Sequence, residues 1–127
     1  MIVKNTIIAN NPIGGNCFVQ PAVSRGDNLS DDTSCAAFFN QPGDMNSTGA
    51  GLDAGGLKNN GGPTQTIAPL PTSPAVDAIP VSACTDAAGN PVTTDQRGVA
   101  RPQGLACDIG AFELVPVGTG LTLPLLY

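Results

Sequence analysis

The sequence predicts an all-β fold: a few terminal coils of a parallel β-helix, or solenoid, closed by a disulfide-clamped C-terminal cap. Three observations predict it. Short aliphatic pieces alternate along the chain with Gly, Pro, Asn and Asp, the residues whose backbone preferences make tight turns. Gly and Pro are abundant, at 16 and 12 of 127 residues, yet 41% of the chain is hydrophobic, and a disordered chain is normally poor in such residues. No window carries sustained helical spacing of apolar residues, so little or no α-helix is expected.

Each element follows from local sequence. Asn5-Thr6-Ile7-Ile8-Ala9-Asn10-Asn11 is a β-branched strand ending in asparagines. Roughly one coil later, Asp27-Asn28-Leu29-Ser30-Asp31-Asp32 again sets an apolar residue among Asn and Asp. In a solenoid such segments stack in parallel with aliphatic positions inward. Asn and Gly suit the corners because they accept left-handed backbone angles at little cost, and stacked Asn side chains hydrogen-bond along the ladder. From 40 to 62 the chain is rich in Gly, Asn and Asp, with Met45, Leu52 and Leu57 as its apolar anchors; an irregular loop is expected there. Asn59-Asn60-Gly61-Gly62-Pro63 reads as a compound turn, and Pro63 suits the first residue of a strand. Strands are expected over 64–68, 75–79 and 109–115.

A single domain over 1–114 results, with a cap over about 80–113 and a flexible tail or truncated anchor linker over 115–127. Solenoid coils cannot bury their faces alone, so end coils need covers. Prolines, the cysteine-clamped loop and the polar Asp95-Gln96-Arg97-Gly98 turn would end pairing at the C-terminal side. Ile2, Val3, Ile7 and Ile8 begin abruptly, and upstream coils are expected to stack before them.

Composition excludes several functions. The net charge is -5, and the five Lys and Arg residues are scattered from Lys4 to Arg101, which argues against nucleic acid and against a polybasic membrane patch. Cys17, Cys35, Cys84 and Cys107 show no CxxC pair, and the chain has no His, so the usual zinc spacings are missing. Disulfides and an oxidising compartment are expected instead. Three pairings are open; Cys17–Cys35 with Cys84–Cys107 is favoured because each pair brackets a polar, turn-rich excursion. The first eight residues are too short and too soon interrupted by Asn5 to form a secretion signal. The tail Leu121-Thr122-Leu123-Pro124-Leu125-Leu126-Tyr127 is far below the roughly 18 apolar residues that span a bilayer. Disulfide cysteines without an export signal suggest a piece of a longer exported chain.

Four motifs occur in a specific order: Gly61-Gly62-Pro63-Thr64-Gln65-Thr66, Ser73-Pro74-Ala75-Val76-Asp77-Ala78, Asp95-Gln96-Arg97-Gly98-Val99-Ala100-Arg101-Pro102 and Cys107-Asp108-Ile109-Gly110-Ala111-Phe112-Glu113. Their order resembles the C-terminal region of bacterial secreted right-handed parallel β-helix proteins, of the choice-of-anchor or polymorphic outer-membrane type. The resemblance extends from 5 to 113 and is weakest over 41–56. It implies a right-handed solenoid exported to the cell surface or medium. The implied function is a non-catalytic structural or adhesive module, whose partners would be upstream β-helix coils and a polysaccharide or host cell-surface ligand. The rival is a fragment of a carbohydrate-active enzyme, a polysaccharide lyase or glycoside hydrolase.

Candidate chemistry is sparse. Asp27, Asp31 and Asp32 form the densest carboxylate group, and converging carboxylates suit glycoside hydrolysis or a calcium cage. Asp also bonds backbone groups at corners, and that structural role is the reading taken; calcium is the one cofactor compatible with the acidity. Asp95, Arg97, Arg101 and Asp108 are the best polar constellation. A lyase would use a basic residue beside a neutralised carboxylate, but guanidinium forks bridging Asp95, Asp108 or backbone carbonyls read as a clamp. No catalytic or metal-binding residue is assigned. Without His, and without a Gly-x-Ser-x-Gly elbow, a nucleophilic triad has no support. Asn28-Leu29-Ser30 and Asn46-Ser47-Thr48 match the N-glycosylation acceptor, an accidental match in the bacterial setting that the resemblance implies.

Overall fold

The structure is a computed structural model describing residues 1–18 and 22–116; residues 117–127 of the expected tail lie outside the described residues. The described chain is mostly non-helical, with four short strands and one 3-10 turn, Val81–Ala83. Strand β1 (Ile2–Val3) pairs in parallel with β3 (Val23–Ser24), and β2 (Ile7–Ile8) pairs in parallel with β4 (Leu29–Ser30).

Ile7 stands opposite Leu29, and Leu29 in turn bridges Met45 in parallel. These three residues are successive rungs of one ladder. Met45 lies inside the stretch expected to be irregular, and that stretch instead supplies the third rung. Two residues before each rung stands a left-handed corner: Asn5 (φ 53°), Asp27 (φ 57°) and Gly43 (φ 82°). Asn and Asp tolerate that conformation and glycine adopts it freely. At Gly43 a Cβ would also lie 2.0 Å from Asp27 Oδ1, so the stack is too tight for a side chain there. One residue before each rung the polar side chains chain together. The Thr6 amide donates to Asn28 Oδ1 at 3.0 Å, and the Asn28 amide and Nδ2 donate to Asp44 Oδ1 at 2.9 and 3.0 Å.

Parallel pairing ends after Met45. The later bridges, Leu52–Pro69, Lys58–Thr66, Ile79–Cys107, Thr85–Pro91 and Thr94–Ala100, are all antiparallel. The strands expected over 64–68 and 75–79 shrink to single bridges at Thr66 and Ile79, and 109–115 forms no strand. Turn chemistry explains the closest of these. Gly/Pro/Asp turns reverse the chain within a few residues at Thr85–Pro91 and Thr94–Ala100, which brings those neighbours together antiparallel; parallel neighbours need a long crossover. Both walls enclose one core of Leu29, Ala50, Ala75, Ile79, Cys84, Cys107 and Ile109, with Ile7 and Met45 packed against it.

Two disulfides join Cys17 to Cys35 and Cys84 to Cys107, with Cα atoms 4.9 and 6.1 Å apart. Loops of this size stabilise by about 3 kcal/mol each in the chain-entropy account. Both cysteines of the second bridge belong to the core.

Residues from 83 to 110 fold back on Lys4 and Asn5, which lie between β1 and β2. Gly110 donates its amide to the Asn5 carbonyl at 3.0 Å, Asn5 Nδ2 donates to the Thr85 carbonyl at 2.8 Å, and Lys4 Nζ donates to the Ala83 carbonyl at 2.8 Å. The peptide unit after Asn5 aims its N–H at Asn28, beside β4, so its carbonyl points the opposite way. Gly110 therefore sits on the side of Asn5 away from Asn28.

Leu29, 0% exposed, is the middle rung, so Leu29→Ala should cost about 3 kcal/mol. Exposed Leu57→Ala should cost no more than about 0.5 kcal/mol. Urea titrations of both variants check this; equal losses would remove the ladder from the core.

Candidate functional site

The Asp95 turn is the starting point of the polar cluster. A turn headed by Asp places its carboxylate over its own amides. Asp95 Oδ1 accepts from the Arg97 and Val99 amides at 2.7 and 3.0 Å. Its Oδ2 accepts from Arg97 Nε and an Arg97 terminal nitrogen at 3.0 and 2.8 Å, and from the Glu113 amide at 2.9 Å. Arg97 continues the chain of contacts: it donates to the Glu113 carbonyl at 2.8 Å, and its guanidinium lies 3.5 Å above the Phe112 ring, a cation–π stack.

Arg101 makes the second fork. It donates to Glu113 Oε2 at 3.0 Å, to the Asp108 carbonyl at 2.8 Å and to the Gly110 carbonyl at 2.6 Å. Its Nε is buried and has no hydrogen-bond partner among the described residues. The ion pair is out of water, with side chains 6% and 0% exposed. Glu113 also accepts from the Asp108 and Gln103 amides at 3.0 and 3.2 Å.

The structure thus brings Asp95, Arg97, Arg101 and Asp108 into one cluster but assigns them different partners. Asp95 pairs with Arg97. Asp108 offers Arg101 only its carbonyl; its carboxylate accepts from the Asp77 and Leu114 amides at 2.8 and 2.6 Å. The carboxylate paired with Arg101 is Glu113, which sequence reasoning left out of the clamp. A signal was present: Glu113 is the only glutamate in the sequence.

Charge energetics follow from these contacts. Burial raises the Asp95 carboxyl, but the Glu113 amide, the Arg97 guanidinium and the turn amides outweigh it, and the net shift is downward. Burial dominates at Asp108 and Glu113, and both lie above their ordinary values. Asp27 is also raised, mainly by burial, against the attraction of Lys4 at 3.9 Å.

The N-terminal carboxylates serve the backbone as well. Asp31 accepts from the Asn10 amide and Asn16 Nδ2, at 2.8 and 2.7 Å. Asp32 accepts from the Ser34 hydroxyl and amide and from the Asn16 amide, and the Ser34 hydroxyl is the main cause of its lowered value. Among the described residues, no three carboxylates or cysteines converge as metal ligands. Neither acceptor motif presents a free amide. Asn28 is fully buried and donates to Ser24 Oγ and Asp44 Oδ1, and Asn46 Nδ2 donates to the Phe39 carbonyl. No helix among the described residues is long and apolar enough to cross a membrane. Comparison with known proteins returns no matching family model, no significantly similar curated protein and no significantly similar solved structure.

Two outcomes follow. Glu113→Ala leaves the Arg101 guanidinium buried and unpaired, so it should cost about 3–5 kcal/mol by urea titration; a loss under about 1 kcal/mol would mean that the pair does not organise the cap. The pH dependence has two limbs of opposite sign. Ionised Asp95 stabilises fully above 3.8 and loses that contribution as pH falls through its lower folded value. Protonated Asp108 and Glu113 stabilise fully below 3.8 and 4.5, and this is lost as pH rises through their higher folded values. Stability profiles between about pH 3 and about pH 7 should therefore show a smaller acid limb in Asp95→Asn and a shallower fall above 4.5 in Glu113→Gln.

Proposed function

We propose that the chain is a non-catalytic structural or adhesive module of a secreted or cell-surface protein, built as the terminal coils and cap of a right-handed parallel β-helix. One observation carries the reading. The carboxylates and guanidiniums that chemistry would recruit are committed to the chain itself: Asp95, Arg97, Arg101, Asp108 and Glu113 to the cap, and Asp31 and Asp32 to corner amides. A glycosidase or lyase needs two such groups facing one sugar with room for water or a leaving group. Groups already holding two or three backbone amides are poorly placed for that work.

Further support comes from the three-rung ladder with aligned left-handed corners, the arrangement by which solenoid coils stack. Two disulfides in so small a protein point to an oxidising compartment. The C-terminal motifs that resemble secreted β-helix proteins fold into the clamp, which accords with a role in architecture.

The test is incubation of the full chain with neutral and uronate polysaccharides, following reducing ends and unsaturated products. No product above the blank is expected, and Arg97→Ala should lower stability without changing that result. Turnover that disappears in Arg97→Ala or Asp95→Asn would establish the enzyme reading in its place.

A further inference from the structure

The outer edge of the first coil is covered in one place and open in another. Thr6 and Ile8 direct their carbonyls to β4, accepting from the Leu29 and Asp31 amides. Successive residues of a strand aim their N–H and C=O groups at opposite edges, so the Ile7 N–H and C=O point outward. Strand β2 has β4 as its single neighbour among the described residues. Gly110, itself left-handed at φ 98°, occupies the position over Asn5. The corner stack is thus extended outward by Gly110, while no described residue pairs with the outer edge of Ile7.

Beside that edge runs an open groove of about 700 Å³. Its apolar wall is formed by Ile7, Ala9, Leu52, Leu57 and Ile67, with Gln65 and Gln96 also lining it. None of the described residues that line it is charged. Leu57 and Ile67 are 63% and 36% exposed, apolar side chains standing in water beside unpaired backbone.

We infer that this groove adds one extended, uncharged aliphatic peptide strand from a partner polypeptide, seated parallel to β2 as the rung before Ile7. The occupant follows from continuity with the existing ladder, in which Ile7, Leu29 and Met45 already stack in parallel. Backbone bonds to Ile7 would supply register and the apolar wall would select alternate side chains, which is strand addition to a sheet edge. A single strand of about four residues, about 13 Å long, needs no corner. The inference rests on the adhesive reading above and supplies its ligand class.

The probe is an acetylated, amidated peptide with the sequence of residues 5–11, an uncharged strand of the kind the ladder already stacks. It is titrated to about 5 mM into the isotope-labelled full chain, with a proline in place of the second isoleucine as control. Saturating amide shifts at Ile7, Ala9, Leu57 and Ile67 are expected, with slowed exchange at the Ile7 amide and no response to the control. Leu57→Lys, at a site exposed enough to leave the fold intact by circular dichroism, should weaken binding about tenfold. Absent shifts, shifts elsewhere or an indifferent Leu57→Lys would overturn the inference. So would Ile7 shifts that follow protein concentration without peptide, which would assign the edge to a second copy. Failure here leaves the non-catalytic reading standing, since only polysaccharide turnover removes that.

Discussion

Arg101 holds three acceptors at once: the Glu113 carboxylate and the carbonyls of Asp108 and Gly110. A planar guanidinium fixes its partners' directions as well as their distances, so this one side chain sets the path of the chain from 108 to 113. Glu113 closes the loop from the other side by accepting the Asp108 amide. Gly110 lies near the tip of that loop and is thereby presented to Asn5. The contact of Gly110 with Asn5 consequently depends on the loop that this ion pair shapes, while the Lys4–Ala83 and Asn5–Thr85 bonds hold the neighbouring segment.

A chain of this composition has reason to hold itself together with polar groups. Its core cluster contains three large aliphatic residues, Leu29, Ile79 and Ile109, among alanines and cystine sulfurs. Small domains with thin cores need covalent or polar reinforcement. The Cys84–Cys107 bridge lies within that core, and the Asp95 and Arg101 clusters lie beside it in sequence. Buried ion pairs carry a desolvation cost that their attraction only partly offsets. Their contribution here is directional: they specify which loop meets which coil, a choice that alanine and proline side chains leave open.

The parallel half of the fold was legible because its signal is local. Asn-Thr-Ile, Asp-Asn-Leu and Gly-Asp-Met each place a left-handed corner, a polar linker and an apolar rung in that order. The first two were readable as strands. The third was hidden because a lone Met between Asp44 and Asn46 resembles a loop until Leu29 lies beside it. The antiparallel half was not legible, since Ile79 finds Cys107 across 28 positions and nothing in the local pattern fixes that register. The clamp was half legible for the same reason. Asp95 and Arg97 are two positions apart and meet through their own turn, whereas Arg101 reaches Glu113 across a loop whose shape the pair itself creates.

Seating Gly110 over Asn5 has a consequence for the exposed end of the ladder. An edge strand invites pairing with other chains, and proteins commonly blunt such edges by keeping them short or covering them. Both devices are present. Strand β2 is only two residues long and is flanked by left-handed Asn5 and Asn10, which interrupt the flat template that aggregation needs. Gly110 covers the corner through a single backbone bond, and the φ of 98° at that residue is one that glycine adopts without strain. A Cβ at 110 would also approach Ile7 Cδ1 to 3.0 Å. The same glycine therefore lets the loop turn, lets it reach Asn5 and leaves Ile7 room to pack inward. With Gly110 over Asn5 and no described residue paired to the outer edge of Ile7, the edge that remains is short.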